Sequence, residues 1–335
     1  MPTSRWVFFL AATWHLTFGV VAVLFTDQLL SLFRLPETYG SAVSASPGAL
    51  CGALALGCIL ALRAPGWSVV VAAILLAAHV LVAVSWLAAV ILGALPPRTF
   101  PALLLNDLIW LFPLTFVVLQ ARRLAPAIIG GIGVVLHILA CVALLAVSGG
   151  TEIVDDIGQR AAWVRSHPAA WSATWMLWAL ASMSLLAFTI VWAARLLQEG
   201  APRQWVFLGC AVLGVGVLFD LVGESINLVG PTLPGCTVEQ FAIFVRTYGL
   251  LSAAIANGLY CIGGLVLSAL AWHIGWLRGW VGLLGFVMWT IGLGLTVMAL
   301  VNNGPGMIAT GGGVMLLYIP WSALVAWRLP QPAKG

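Results

Sequence analysis

Three groups of polar residues interrupt the apolar stretches of this sequence, and the spacing within each suits a definite chemistry. The first is Asp220, Glu224 and Asn227, in the run Phe-Asp-Leu-Val-Gly-Glu-Ser-Ile-Asn. Spacings of four and three residues put all three on one helix stripe, and Gly223 between them lets another helix come close. Two carboxylates one turn apart repel when both are ionised, so one of them holds a proton or a cation sits between them. Arg246, early in the next apolar stretch, is the expected counter-charge, and Asn257 and Tyr260 add polar groups further along. The plainer alternative is a Glu224–Arg246 ion pair at the outer interface, with Asp220 neutral and buried.

The second group is Asn106, Asp107 and Trp110. Asp107 and Trp110 are three apart and share a helix face. Pro113 has no N–H, which frees the carbonyl of Ile109 beside the acid. Acid, amide and carbonyl together suit a cation or a proton; alternatively Asp107 satisfies the donors of a neighbouring helix. The third group is His15, His79 and His137, which fall at similar mid-membrane depths when counted at 1.5 Å per residue. A neutral imidazole is a ligand for haem iron or for the magnesium of a pigment. The simpler reading of each is a hydrogen-bonded packing histidine. His167 and His273 read as interfacial residues.

Ionisable groups matter here because of what surrounds them. Hydrophobic residues make up 62% of the 335 and charged residues only 7%. Twenty-four charged side chains cannot cover a soluble protein of this length, whereas the outside of a bundle in lipid must itself be apolar. A charge at the bilayer centre costs about 2.5–3.5 kcal/mol on insertion scales, so an acid retained there is a functional candidate. The fold class that follows is an all-α polytopic transmembrane bundle. The net charge of +4 contains no run of three basic residues, which excludes a nucleic-acid partner. Six cysteines without a CxxC spacing indicate neither a zinc site nor a redox motif. No nucleophile-elbow, metalloprotease, kinase or P-loop pattern occurs, so catalytic residues are not identified and enzymatic activity stays open.

Ten stretches have the roughly 20 apolar residues that a span needs: 6–26, 47–63, 67–94, 102–120, 126–147, 170–194, 204–229, 244–272, 276–301 and 307–327. Turn residues such as Ala64-Pro65-Gly66 and Pro96-Pro97 separate them. A boundary near Arg122-Arg123 divides a four-helix unit, 1–121, from a six-helix unit, 122–335. Residues 151–168 have Ile153, Ile157, Ala161 and Val164 opposite Glu152, Asp155, Asp156 and Arg160, which predicts an amphipathic helix on the outer surface. Gly48-x-x-x-Gly52 and Gly275-x-x-x-Gly279 read as close helix contacts. With the N-terminus inside, nine basic residues are cytoplasmic (Arg5, Arg63, Arg122, Arg123, Arg195, Arg203, Arg278, Arg328 and Lys334). Five are outside (Arg34, Arg98, Arg160, Arg165 and Arg246), as are the acids Asp27, Glu37 and Glu239, so both termini are expected to be cytoplasmic.

The run Asn106-Asp107-Leu108-Ile109-Trp110-Leu111-Phe112-Pro113, at the fourth apolar stretch, resembles the last helix of small four-helix bacterial membrane proteins of the DoxX-like kind. The resemblance covers residues 1–121 and implies a bacterial cytoplasmic (inner) membrane setting. Some of these relatives serve quinone-linked redox work. Two readings of function result. One is a membrane protein that binds or transports a small solute, ion or proton at an outer-half site built on Asp220, Glu224, Asn227 and Arg246, with Asn106 and Asp107 as a second site. The other is a redox subunit holding haem, quinone or a pigment through His15, His79 or His137, or an accessory subunit. The partners expected are the lipid bilayer and other membrane subunits.

Overall fold

The computed structural model describes residues 2–32, 40–63, 68–91, 95–119 and 125–329. Of the residues invoked above, Arg34, Glu37, Ala64, Pro65, Gly66, Arg122, Arg123 and Lys334 lie outside the described residues. Helix is the only regular element among the described residues, as lipid demands, since a helix satisfies each backbone N–H and C=O within its own segment. The chain divides into two compact units, Met1–Arg122 and Arg123–Gly335.

The first unit contains α1 (Pro2–Leu24), α2 (Thr26–Leu32), α3 (Gly40–Arg63), α4 (Ser68–Ile91), α5 (Phe100–Leu103) and α6 (Ile109–Leu119). A five-residue π-helical turn, Leu104–Leu108, joins α5 to α6. Helix α1 lies along α3, and α4 lies against α6. Phe8, Leu54, Cys58, Leu75, Leu114 and Val117 form the core they share. Trp86 on α4 donates its indole N–H to Thr99 Oγ1 (2.8 Å), fastening the turn that leads into α5.

The second unit contains α7 (Ala125–Ala146), α8 (Ile157–Ser166), α9 (Pro168–Gln198), α10 (Arg203–Val229), α11 (Val238–Tyr248), α12 (Asn257–His273), α13 (Trp280–Leu300) and α14 (Gly304–Arg328). A π-helical stretch, Gly249–Ala256, joins α11 to α12 in one long rod. Helices α7, α9, α10, α12, α13 and α14 pack in that order, and α14 returns against α7, so the six close into a ring. Phe188, Trp192, Trp289 and Trp321 meet inside it, with ring centroids 5.3–6.2 Å apart.

Seven helical stretches among the described residues are long and apolar enough to cross a membrane: Arg5–Leu24, Pro126–Ala146, Pro168–Gln198, Arg203–Thr232, Val238–His273, Trp280–Leu300 and Gly304–Arg328. Large apolar side chains such as Leu145, Leu300, Leu316 and Trp327 face outward on them. A bundle with such a surface is a multi-pass helical membrane protein. Cys51–Arg63 and Val71–Val84 are shorter apolar helices.

Local expectations fare unevenly. Helix α8 forms inside 151–168, with Asp156 as its N-cap accepting from the Gln159 N–H (2.9 Å). Its faces are not the expected ones, because Arg160 is buried with Ala161 and Val164 while Ile153 is exposed. Arg160 is held there by Glu152 (2.9 Å), the Gly150 carbonyl (3.1 Å) and the ring of Phe241. A long side chain with three such partners can lie on the packed face. Gly275 and Gly279 have φ of +82° and +79° and shape the turn between α12 and α13, so they are not a helix-packing pair. Gly52 faces open space rather than another helix.

Candidate functional site

In the second unit the stripe on α10 is a real face. Asp220, Glu224 and Asn227 are all buried, and Gly216 and Gly223 sit among them. A Cβ on Gly216 would stand 2.8 Å from the Tyr260 ring and 3.0 Å from the Ala256 carbonyl. One on Gly223 would stand 3.2 Å from Leu251 and 3.4 Å from Ser252. The two glycines therefore let the π-helical stretch and α12 close onto the acids. Ser252 and Tyr260 are eight residues apart, which at 3.6 residues per turn overshoots two turns by about 80°. The wider π turn absorbs much of that overshoot, and both hydroxyls reach the same carboxylate.

Asp220 accepts three hydrogen bonds. Ser252 Oγ donates to Oδ1; Tyr260 Oη (2.7 Å) and Ser182 Oγ (2.8 Å) share Oδ2. Ser182, on α9, is also 2.9 Å from Glu224 Oε1. A serine has one hydroxyl proton, so it can donate to only one of the two acids. The other contact is a hydrogen bond only if a carboxyl donates to Ser182. Asp220 already takes three donors, whereas Glu224 Oε2 is buried with no partner. The arrangement that satisfies every short contact is Glu224 O–H to Ser182, and Ser182 O–H to Asp220. Each acid is linked to the other through one rotatable hydroxyl.

Arg246 is not the counter-charge expected of it. It is exposed on α11 and pairs with neither acid, whereas Arg160 pairs with Glu152 and Arg195 with Glu199. A guanidinium left at the helix surface keeps its hydration, which burial against a shared proton would remove. Asn227 keeps a buried, unpartnered Oδ1, while its backbone carbonyl accepts from the Trp171 indole (2.8 Å). Asn257 faces α13 instead, donating to Thr296 Oγ1 (3.0 Å) and the Gly292 carbonyl. Ser182 and Ser252, which carry the bridge, have no distinctive sequence signal, because serines in membrane helices commonly bond their own preceding turn.

In the first unit the structure joins two groups that the sequence kept separate. Asn106 and Asp107 occupy the π-helical turn. Asp107 Oδ1 accepts from His79 Nδ1 (2.9 Å), and Oδ2 from Asn106 Nδ2 (3.1 Å). Cys51 Sγ on α3 donates to Asn106 Oδ1 (3.8 Å), a weak contact that orients the amide. The His15 ring stacks on His79 at 5.1 Å and 22°, and Trp110 leans on His15 at 5.6 Å. His15 and His79 are 0% exposed.

His137 is elsewhere, on α7 of the second unit. Its Nδ1–H donates to the Gly133 carbonyl (2.7 Å) and its ring packs on Tyr318 (4.7 Å), a packing histidine. The stacked pair does not fit a haem or pigment held between His15 and His79. Two axial ligands point their in-plane lone pairs at each other across the metal, whereas these rings stack face to face with centroids only 5.1 Å apart. No group of three His, Cys, Asp or Glu side chains able to hold a metal occurs among the described residues.

Comparison with family models, with curated proteins and with solved structures gives no match.

Proposed function

We propose that this protein binds a proton or a small cation at the Glu224–Ser182–Asp220 bridge and carries it across the membrane. The observation behind this reading is a single serine hydroxyl between two buried acids that have no cationic partner among the described residues. Ser182 gives its hydroxyl proton to Asp220 as it takes the proton of Glu224, and its rotation resets the bridge; a cation entering beside Glu224 Oε2 and Asn227 Oδ1 would replace the proton there. Ten helices crossing a bacterial cytoplasmic membrane, both termini inside and the acids in the outer half, is the topology that the nine-to-five distribution of basic residues favours. The DoxX-like resemblance of residues 1–121 fits the same setting.

The test is ion movement into proteoliposomes with a pH dye inside, under imposed proton, sodium or potassium gradients. Asp220→Asn, Glu224→Gln and Ser182→Ala should each abolish the protein-dependent flux, and Arg246→Ala should keep it. Flux that survives Asp220→Asn and Glu224→Gln would sink the proposal. For topology, single cysteines at Asp155 and Gln204, both exposed, should label from opposite sides. Native Cys236 is a poor reporter: it is buried with Sγ on the Thr237 carbonyl (3.6 Å), and burial pushes its thiol up.

A further inference from the structure

The acids of the second unit leave the first unit's polar cluster without a role. That cluster is incomplete in a specific way. Nε2 of His79 and Nε1 of Trp110 are buried without a partner, and both ring nitrogens of His15 are buried without a well-formed hydrogen bond, although the Asn106 amide lies near that ring. They come from three elements, α1, α4 and α6, and their rings are neighbours. Buried polar groups in native proteins are hydrogen-bonded in the great majority, so four such atoms in one place point to a guest.

The geometry also says what kind of guest. Asp107 accepts the Nδ1–H of His79, which leaves a lone pair on Nε2 of the neutral ring. A carboxylate behind an imidazole makes that lone pair a stronger acceptor. Both oxygens of Asp107 are occupied, by His79 and Asn106, so the carboxylate holds its partner rather than meeting the guest. The titratable groups facing the pair are His15 from α1, Cys51 from α3 and Asp107 from the π turn. His79 Nε2 thus calls for a donor, Trp110 Nε1–H for an acceptor, and a hydroxyl oxygen is both. The neighbouring groups are the rings of His15, His79 and Trp110 on apolar helices, so a guest arriving through lipid carries its hydroxyl on an apolar ring.

We propose that the first unit holds a second binding site, for a lipophilic molecule with an acidic hydroxyl of the phenol or enol class. Its O–H donates to His79 Nε2 and its oxygen accepts from the Trp110 indole, while its ring lies against His15.

The experiment uses the full-length protein in detergent with 4-fluorophenol as the probe, followed by fluorine NMR, and 4-fluoroanisole as the analogue without a hydroxyl. Saturable binding of one phenol per chain is expected, with the anisole about tenfold weaker, the scale of one lost hydrogen bond. His79→Gln and Asp107→Asn should each weaken the phenol about tenfold, because the first replaces the carboxylate-backed imidazole acceptor with a weaker, displaced amide oxygen and the second removes its orienting charge. Trp110→Phe keeps the ring and loses only the N–H, and should weaken binding about threefold without unfolding the helices. Binding no greater than that of empty micelles would overturn the proposal. So would equal affinity for phenol and anisole, or full affinity in both His79→Gln and Trp110→Phe. If His79→Gln does not fold, unchanged affinity in Trp110→Phe suffices to overturn it.

Discussion

The two units bury a carboxylate in opposite ways. In the first, Asp107 is held by N–H donors, an imidazole and an amide, and the unsatisfied atoms around it are nitrogens. In the second, Asp220 is held by three hydroxyls, and the unsatisfied atoms that share its helix are oxygens, on Glu224 and Asn227. Nitrogen left over beside a fixed carboxylate suits a hydroxyl-bearing guest. Oxygen left over beside a second acid suits a proton or a cation. Both sites use a π-helical turn, Leu104–Leu108 in one and Gly249–Ala256 in the other, to aim side chains that a regular helix would turn away. The lesson is that a buried acid says little until its donors are known.

The comparison can be broken by counting donors. Asp220→Ala strands three hydroxyls and Asp107→Ala two donors. At about 1 kcal/mol for each lost bond, roughly 3 kcal/mol should be lost in the first case and roughly 2 in the second. Thermal unfolding in detergent measures both, and equal losses would mean that the hydroxyl network is not cooperative with the fold. Next in size is Gly216→Ala, whose Cβ meets the Tyr260 ring and should cost about 1–3 kcal/mol by overpacking. Gly214→Ala, where the nearest atom is Leu186 Cδ1 at 3.7 Å, should be neutral or slightly stabilising. If Gly216→Ala is equally benign, the close approach of α12 to α10 is not what seats Tyr260.

A finer test separates bridge from scaffold. Ser182→Ala and Tyr260→Phe each remove one donor to Asp220 and should cost a similar amount, about 1 kcal/mol. Only Ser182→Ala should stop proton transfer between the acids, seen as loss of the linked change in the protonated-carboxyl stretch in infrared difference spectra. Equal loss in both variants would place transfer through Tyr260 instead. The smallest effect belongs to Arg246→Ala. Exposed and unpaired with either acid, it should shift stability by no more than about 0.5 kcal/mol and add simply to Glu224→Ala. Marked non-additivity would restore the ion pair that the sequence suggested.

The chain's own residues already carried much of this. Long continuous apolar stretches and the paucity of charge fixed a helical membrane bundle, because such stretches satisfy their backbone in lipid as helices, whereas barrel strands alternate apolar with polar residues. The spacing of Asp220, Glu224 and Asn227 fixed a shared stripe, because a helix repeats every 3.6 residues whatever packs against it. Asn106 and Asp107 were likewise legible as candidates, since acids are costly in lipid.

What the sequence could not decide was which distant groups would meet these acids. His15, His79 and Asp107 lie on separate helices, and no periodicity links positions so far apart. Arg246 looked like a partner by depth alone, yet its azimuth on α11 turns it outward. Ser182 and Ser252 looked like ordinary hydroxyls until α9 and the π turn brought them to Asp220. Local spacing is a property of one helix and is written in its residues. The partner of a buried charge depends on the rotation and depth of other helices, which only the packed bundle settles.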